Sequence, residues 1–260
     1  MCQLLGMNCN VPTDICFSFE GFCARGGRTD QHRDGWGIAF FEGLGCRLFV
    51  DVRPSVESEI AGLVRRYPIK STHVIAHIRK ATQGEILLEN CHPFRRELWG
   101  RYWVFAHNGD LPNIFNLKSQ PDQCYTAVGK TDSEWAFCLI LTRLRQRFPT
   151  QKPPLAELYQ TLKEITQAIA QFGTFNYLLS DGEHFFVHCS THLSYIIRQA
   201  PFAAAHLIDQ DITVDFSELT RPSDRVAVIA TLPLTDNEVW QTIQPQELLV
   251  FQDGLVVRMQ

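Results

Sequence analysis

Residues 131–148 read TDSEWAFCLILTRLRQRF, and the layering of the whole chain turns on them. Thr131 and Glu134 stand at capping-box spacing, while Phe137, Leu141, Leu144 and Phe148 recur on one face at steps of three and four, which predicts a helix. A second helix follows in the same register logic, with Leu155, Leu158, Leu162, Ile165 and Ile169 as its apolar stripe and Gly173 just past its end. The Pro-rich PTQKPP at 149–154 is short enough to be the loop between them. On the N-terminal side of this pair, WGIAFF (36–41), THVIAHIR (72–79) and RYWVFAH (101–107) are β-branched and aromatic runs that read as strands. On the C-terminal side FNYLLS (175–180), HFFVHC (184–189) and RVAVIAT (225–231) read the same way, and Asp-Gly at 181–182 and 253–254 marks two hairpins. Strands, a helical pair, then strands again are most economically satisfied by two sheets packed on each other with helices outside. No internal repeat or low-complexity tract interrupts the chain, so one domain over 1–260 is expected.

Bulk composition narrows the function classes. With 45% hydrophobic and 20% charged residues, the 260-residue chain has the make-up of a globular protein that can bury one large core. Its 24 basic and 28 acidic residues give no electrostatic footprint for nucleic acid or an anionic membrane. No run approaches the ~18 apolar residues of a spanning helix, and the N-terminus lacks the regions of a signal peptide. A cytoplasmic location is expected. Nine cysteines without paired CxxC spacing argue against both a disulfide framework and a zinc ribbon. Most should be reduced, buried small hydrophobes.

Cysteines 2, 9, 16 and 23 are spaced by seven, yet Pro12 and the glycines at 6, 21, 26 and 27 prevent one long heptad helix. A short helix over Asp14–Ala24, capped by Thr13, survives, with Cys16 and Cys23 on its apolar side. His73 and His77 are four apart, as in a helical zinc motif, but THVIAHIR is too β-branched for a helix and carries no partner glutamate. On a strand they share a face, and a structural or hydrogen-bonding role is expected for His77.

Cys2 has a different prospect. Removal of the initiator methionine, usual before a small second residue, leaves its thiol beside a free α-amine whose pKa of about 7.7–8.0 suits a general base. The plain alternative is that Cys2 merely starts the first strand, and position alone does not separate the two.

HRDGWG (32–37), AHIRKATQG (76–84), ENCHPF (89–94), FAHNGDL (105–111) and GKTDSE (129–134), behind an N-terminal MC, together do. The chain resembles the class II, or N-terminal-nucleophile, glutamine amidotransferases, and within them the compact single-domain bacterial members of the YafJ type. The resemblance covers nearly the whole chain and is sharpest in the first 135 residues. It implies an α+β fold, the four-layer αββα sandwich, and an enzyme that needs no metal or organic cofactor.

The same resemblance assigns roles. Cys2 attacks the side-chain amide of glutamine, releasing ammonia and leaving a γ-glutamyl thioester for water to hydrolyse. Asn108 and Gly109 supply the donors for the developing oxyanion; an ordinary Asn-Gly turn is the plain alternative. Arg79 suits the α-carboxylate of the substrate, because a guanidinium can bind it in bidentate fashion. Asp132 suits the α-ammonium, although an aspartate in a first helical turn also complements the helix dipole. Thr82 adds a hydrogen bond to substrate. His92 and His107 are assigned to positioning, not proton transfer. Lys80 departs from larger relatives, which carry Trp or Tyr there, and His32, Asp34 and Trp36 have no role derivable from sequence.

Three further readings stay open. Larger enzymes of this class carry a second domain that accepts ammonia, and the chain ends before one could fit, so either a separate ammonia-accepting protein is the partner or the enzyme is a plain hydrolase. A γ-glutamyl peptide hydrolase without transfer is the alternative. Neither a thiol hydrolase built on Cys91 and His92 nor a catalytically silent binding module is favoured, the first because adjacent strand residues point to opposite faces, the second because Cys2, Arg79, Asn108, Gly109 and Asp132 are all intact.

Overall fold

The computed structural model describes residues 2–81, 85–116 and 124–259. Four strands come first, β1 (Gln3–Thr13), β2 (Trp36–Glu42), β3 (Gly45–Asp51) and β4 (Ser71–Ile78), interrupted by helices α1 (Cys16–Ala24) and α2 (Glu59–Arg66). β5 (Phe94–Leu98) and β6 (Arg101–Asp110) lead to the helical pair α3 (Asp132–Arg147) and α4 (Leu155–Ala170). The remaining strands are β7 (Thr174–Ser180), β8 (Phe185–Cys189), β9 (Ser194–Gln199), β10 (Ala204–His206), β11 (Thr213–Asp215), β12 (Arg225–Ala230), β13 (Gln241–Thr242), β14 (Glu247–Gln252) and β15 (Leu255–Val257).

These strands do not sort into sheets by position in the chain. One sheet has the order β13-β9-β12-β1-β4-β2-β3 and the other β15-β14-β8-β7-β6-β5, while β10 and β11 form a separate hairpin. β1 therefore sits in the middle of the first sheet, paired antiparallel with β4 on one side and β12 on the other. Because successive residues of a strand face opposite ways, Leu5 and Met7 of β1 join Phe19, Phe22, Trp36 and Val64 under α1 and α2. Leu4, on the other face, meets Ile75, Val104, Leu178 and Phe185 between the sheets. Beyond the second sheet, Phe105, Phe175 and Tyr177 pack against Phe137, Leu141, Leu158 and Leu162 of α3 and α4. The result is the expected α+β sandwich of four layers, αββα.

Local expectations held where the signal was strong. Thr131 accepts a hydrogen bond from Glu134 N–H at 3.2 Å, but the Glu134 carboxylate takes Gly129 N–H and Arg96 instead of closing the capping box. The two Asp-Gly turns join β7 to β8 and β14 to β15. Thr13 is not the cap of α1: it pairs with Ser71 as the end of β1, and the helix starts at Cys16 behind Ile15, which makes no side-chain cap bond, while Asp14 Oδ1 accepts Cys16 N–H at 3.2 Å from the lead-in. Pro12 lies where the β1–β4 register shifts, so its missing donor costs the ladder little. Among the described residues, no helix is long and apolar enough to cross a membrane.

Candidate active site

The outermost pair of the β1–β4 ladder at this end is Gln3 with Ile78, so Cys2 and Arg79 leave the first sheet side by side. β6 ends in the second sheet with Asn108, Gly109 and Asp110, and α3 begins next to that end. Leu111 N–H donates to Asp132 Oδ2 at 2.7 Å, which ties the first turn of α3 to the residue just after β6. Asn108 closes the gap between sheets: its Nδ2 donates to Cys2 O at 2.6 Å and makes a longer 3.5 Å contact with Thr231 Oγ1. Thr231 Oγ1 also accepts Leu4 N–H at 2.9 Å. Cys2, Arg79, Asn108, Gly109 and Asp132 thus gather at one end of the sandwich. Thr82 lies outside the described residues.

Each of these side chains is held from behind. Asn176, opposite Asn108 on β7, donates from Nδ2 to Asn108 O at 3.0 Å and accepts Ser190 and Thr191 N–H at 2.8 and 3.0 Å. Arg79 is buried, and its Nη1 donates to Glu85 O at 3.1 Å. Gly109 tolerates no side chain, because a Cβ there would lie 1.8 Å from Thr174 O. Asp132 Oδ1 accepts Ser133 N–H at 2.8 Å, as an aspartate at a helix N-terminus commonly does.

The Cys2 thiol contacts one residue through its backbone: Lys80 N–H donates to Sγ at 3.2 Å and Lys80 O lies 3.4 Å from Sγ. Burial pushes the thiol pKa up, against the opposing pull of the Lys80 N–H, the N-terminal ammonium and the Arg79 charge. With the thiol held up in this way, attack on an amide calls for a base to take its proton.

The nearby histidines are poorly suited to that task. His107 Nδ1 meets Ser133 Oγ at 2.8 Å and Nε2 meets Thr174 O at 3.0 Å, which makes Nε2 the protonated nitrogen. Burial lowers its pKa. His77 and His92 lie with ring centroids 4.2 Å apart, and none of their ring nitrogens has a hydrogen-bond partner among the described residues. Burial holds both well below the usual histidine range, so they stay neutral. His77 is fully buried against His92, the structural role expected of it, while His73 makes side-chain hydrogen bonds: its Nδ1 meets Ser180 Oγ at 2.8 Å and its Nε2 meets Asn8 Nδ2 at 3.0 Å. Cys91 points at Asp51 O and Leu87 O with its thiol pushed up to about 11, and makes no bond to His92. Sequence reasoning passed over Thr231 and Asn176, which carry no motif of their own.

A four-layer αββα sandwich with a cysteine ahead of its central strand defines the N-terminal-nucleophile hydrolase architecture. Over residues 1–260 the chain matches the glutamine amidotransferases of class II. The YafJ protein of Escherichia coli (strain K12) is 53% identical over 251 residues, 96% of this chain and 97% of that one. A crystal structure from Pseudomonas aeruginosa PA01, described as a predicted glutamine amidotransferase, superposes with a TM-score of 0.78 at 45% identity, covering 98% of this chain and 99% of that one. The glutamine phosphoribosylpyrophosphate amidotransferase of B. subtilis shares the fold at 17% identity, with a TM-score of 0.65 over 98% of this chain and 48% of that one. The chain belongs to the class II glutamine amidotransferases, a family of enzymes that attack the amide of glutamine with a cysteine.

Proposed function

We propose that this chain, processed so that Cys2 is its first residue, hydrolyses the side-chain amide of glutamine or of a γ-glutamyl amide. The α-amine of Cys2 takes the thiol proton, Sγ adds to the amide carbon, and the amine returns the proton to the departing nitrogen as ammonia leaves. Water then cleaves the γ-glutamyl thioester. Asn108 and the Gly109 N–H stabilise the oxyanion, Arg79 holds the α-carboxylate, Asp132 holds the α-ammonium, and Thr82 adds a further hydrogen bond.

The observation that carries this reading is the 2.6 Å bond from Asn108 Nδ2 to Cys2 O, which sets an amide donor from the second sheet beside the cysteine of the first. Among the described residues the second N–H of that amide meets Thr231 Oγ1 at 3.5 Å, a contact weak enough to be exchanged for an oxyanion. The ammonia is either released as a hydrolysis product or passed to an acceptor on a separate protein. The whole of residues 1–260 acts as one domain, in the cytoplasm and without a cofactor.

The test is a screen of glutamine and γ-glutamyl compounds with the processed protein, followed by ammonia and glutamate release. A glutamine analogue with an electrophile at the δ-carbon should label Cys2 alone among the nine cysteines, and intact mass should lack one methionine. Activity with the α-amine blocked, or turnover by Cys2→Ala, would remove Cys2 from the chemistry. Labelling without turnover of any compound would identify a silent binding module.

A further inference from the structure

We propose that Asp34 is a positioning residue for the nucleophile: it grips the outer edges of two consecutive peptide planes whose inner edges hold the Cys2 sulfur. The proposal rests on the reading of Cys2 as the nucleophile and adds a part to that site.

In the Arg79–Lys80 peptide, Lys80 N–H donates to Cys2 Sγ at 3.2 Å while Arg79 O accepts Asp34 N–H at 3.2 Å. In the Lys80–Ala81 peptide, Lys80 O faces Sγ at 3.4 Å while Ala81 N–H donates to Asp34 Oδ2 at 2.7 Å. The C=O and N–H of a planar trans peptide point to opposite sides, so holding one edge aims the other. Asp34 holds both outer edges, one with its backbone and one with its carboxylate. The inner edges offer the sulfur an acceptor and a donor: the thiol can donate to Lys80 O, and the thiolate can accept Lys80 N–H. Sulfur can therefore change protonation state without changing place.

The residues around Asp34 explain why the HRDGWG stretch takes this form. Gly35 has φ +105°, and a Cβ on it would sit 2.7 Å from Cys91 Sγ and 3.0 Å from Asp51 O, so the turn that delivers Asp34 needs glycine. Gly35 O accepts Arg79 N–H at 2.8 Å, continuing the β2–β4 pairing outward. Trp36 is buried against Phe19 with ring centroids 5.8 Å apart and anchors the turn to the core. Only the Asp34 Oδ2 bond depends on the side chain, so substitution isolates one peptide plane of the two.

The charged groups acting on the sulfur are the N-terminal ammonium and Arg79, which favour thiolate, and Asp34, which opposes it. That separates charge from geometry experimentally. Asp34→Asn keeps an acceptor for Ala81 N–H and removes the charge; Asp34→Ala removes both. With processed full-length protein, glutamine turnover is measured beside the pH dependence of Cys2 alkylation by iodoacetamide, followed on the Cys2 peptide by mass spectrometry. Both variants should lower the alkylation midpoint. Asp34→Ala should lose about tenfold or more in kcat with KM little changed, while Asp34→Asn stays within about threefold of native. Equal losses in the two variants would assign the effect to charge, and native kcat in Asp34→Ala would show that the grip does nothing; either overturns the proposal. If the native protein itself released no ammonia, the functional reading would fail separately. The limiting alkylation rate would then decide the present point: Asp34→Ala must differ from native and Asp34→Asn must match it, and three equal rates refute it.

Discussion

Replacing Asn176 with Ala should test how the second sheet delivers Asn108. Asn176 is fully buried and spends its amide on four bonds: Nδ2 to Asn108 O (3.0 Å) and Thr191 Oγ1 (2.8 Å), and Oδ1 from Ser190 N–H (2.8 Å) and Thr191 N–H (3.0 Å). Alanine strands two backbone N–H groups and removes a donor from the Asn108 carbonyl. A buried group left unsatisfied costs about 1–3 kcal/mol, and because Ser190 and Thr191 are half-buried and water can relieve part of that cost, the loss should be about 2–4 kcal/mol. That is a large share of the roughly 5–15 kcal/mol that stabilises an ordinary domain. Urea or guanidinium unfolding measures it, with an unchanged slope showing that the same surface is exposed. Glutamine turnover under native conditions should also fall, because the backbone that aims Asn108 has lost a brace. Asn176→Asp sharpens the reasoning. Its protonated acid can donate to Asn108 O and its carboxylate cannot, so folding should raise its pKa above the unfolded value. The defect should be small below about pH 4, the unfolded pKa range, and grow as pH rises through the folded pKa. A loss under about 1 kcal/mol for Asn176→Ala would refute the accounting, since it would mean that the stranded groups find equal partners elsewhere.

Two other outcomes follow from the geometry. On the proposed mechanism only Asn108 touches charge that develops during reaction, so Asn108→Ala should reduce kcat on the order of 10²-fold or more while Arg79→Lys should mainly raise KM; steady-state kinetics with glutamine separates them, and a pure KM effect at Asn108 would sink the oxyanion role. Lys152 binds the Asp181 carboxylate and lies 2.9 Å from Glu183 and 3.0 Å from His184 Nδ1. Burial pushes the Asp181 carboxyl up, but His184 and Lys152 outweigh it and hold the carboxyl well below its usual range. A depressed folded pKa gives stability that is present in full above the unfolded value and is lost as pH falls through the folded one. Lys152→Met should therefore cost about 3–5 kcal/mol near pH 7, and less in acid, as read from denaturation midpoints across pH; an equal cost at every pH would refute the ion-pair account.

What could be read from the one-dimensional pattern was local. The 3.6-residue period of Phe137, Leu141 and Leu144 and of Leu158, Leu162 and Ile165 marked α3 and α4, and two Asp-Gly pairs marked two hairpins. Motif resemblance marked the site: Cys2, Arg79, Asn108, Gly109 and Asp132 meet at one end of the fold. The interleaving was not legible. WGIAFF, THVIAHIR and RVAVIAT enter one sheet while RYWVFAH, FNYLLS and HFFVHC enter the other, and nothing in an apolar run states which of two apolar faces it will cover. β1 was obscured by Pro12 and by cysteine spacing that suggested a helix. Thr13 was misread as a cap because its pairing with Ser71 is a long-range contact. The supports of the site were hidden for the same reason. Asp34 reaches Ala81, Asn176 reaches Asn108 and Thr231 reaches Leu4 across separations of 47, 68 and 227 residues. Period and propensity act over a few residues of neighbouring backbone, so the sequence by itself marked α3, α4, six of the strands and two hairpins, and its motifs marked the residues proposed to carry chemistry. Which peptide edge faces the sulfur, and which amide braces Asn108, follow from hydrogen bonds that exist only once two sheets are stacked.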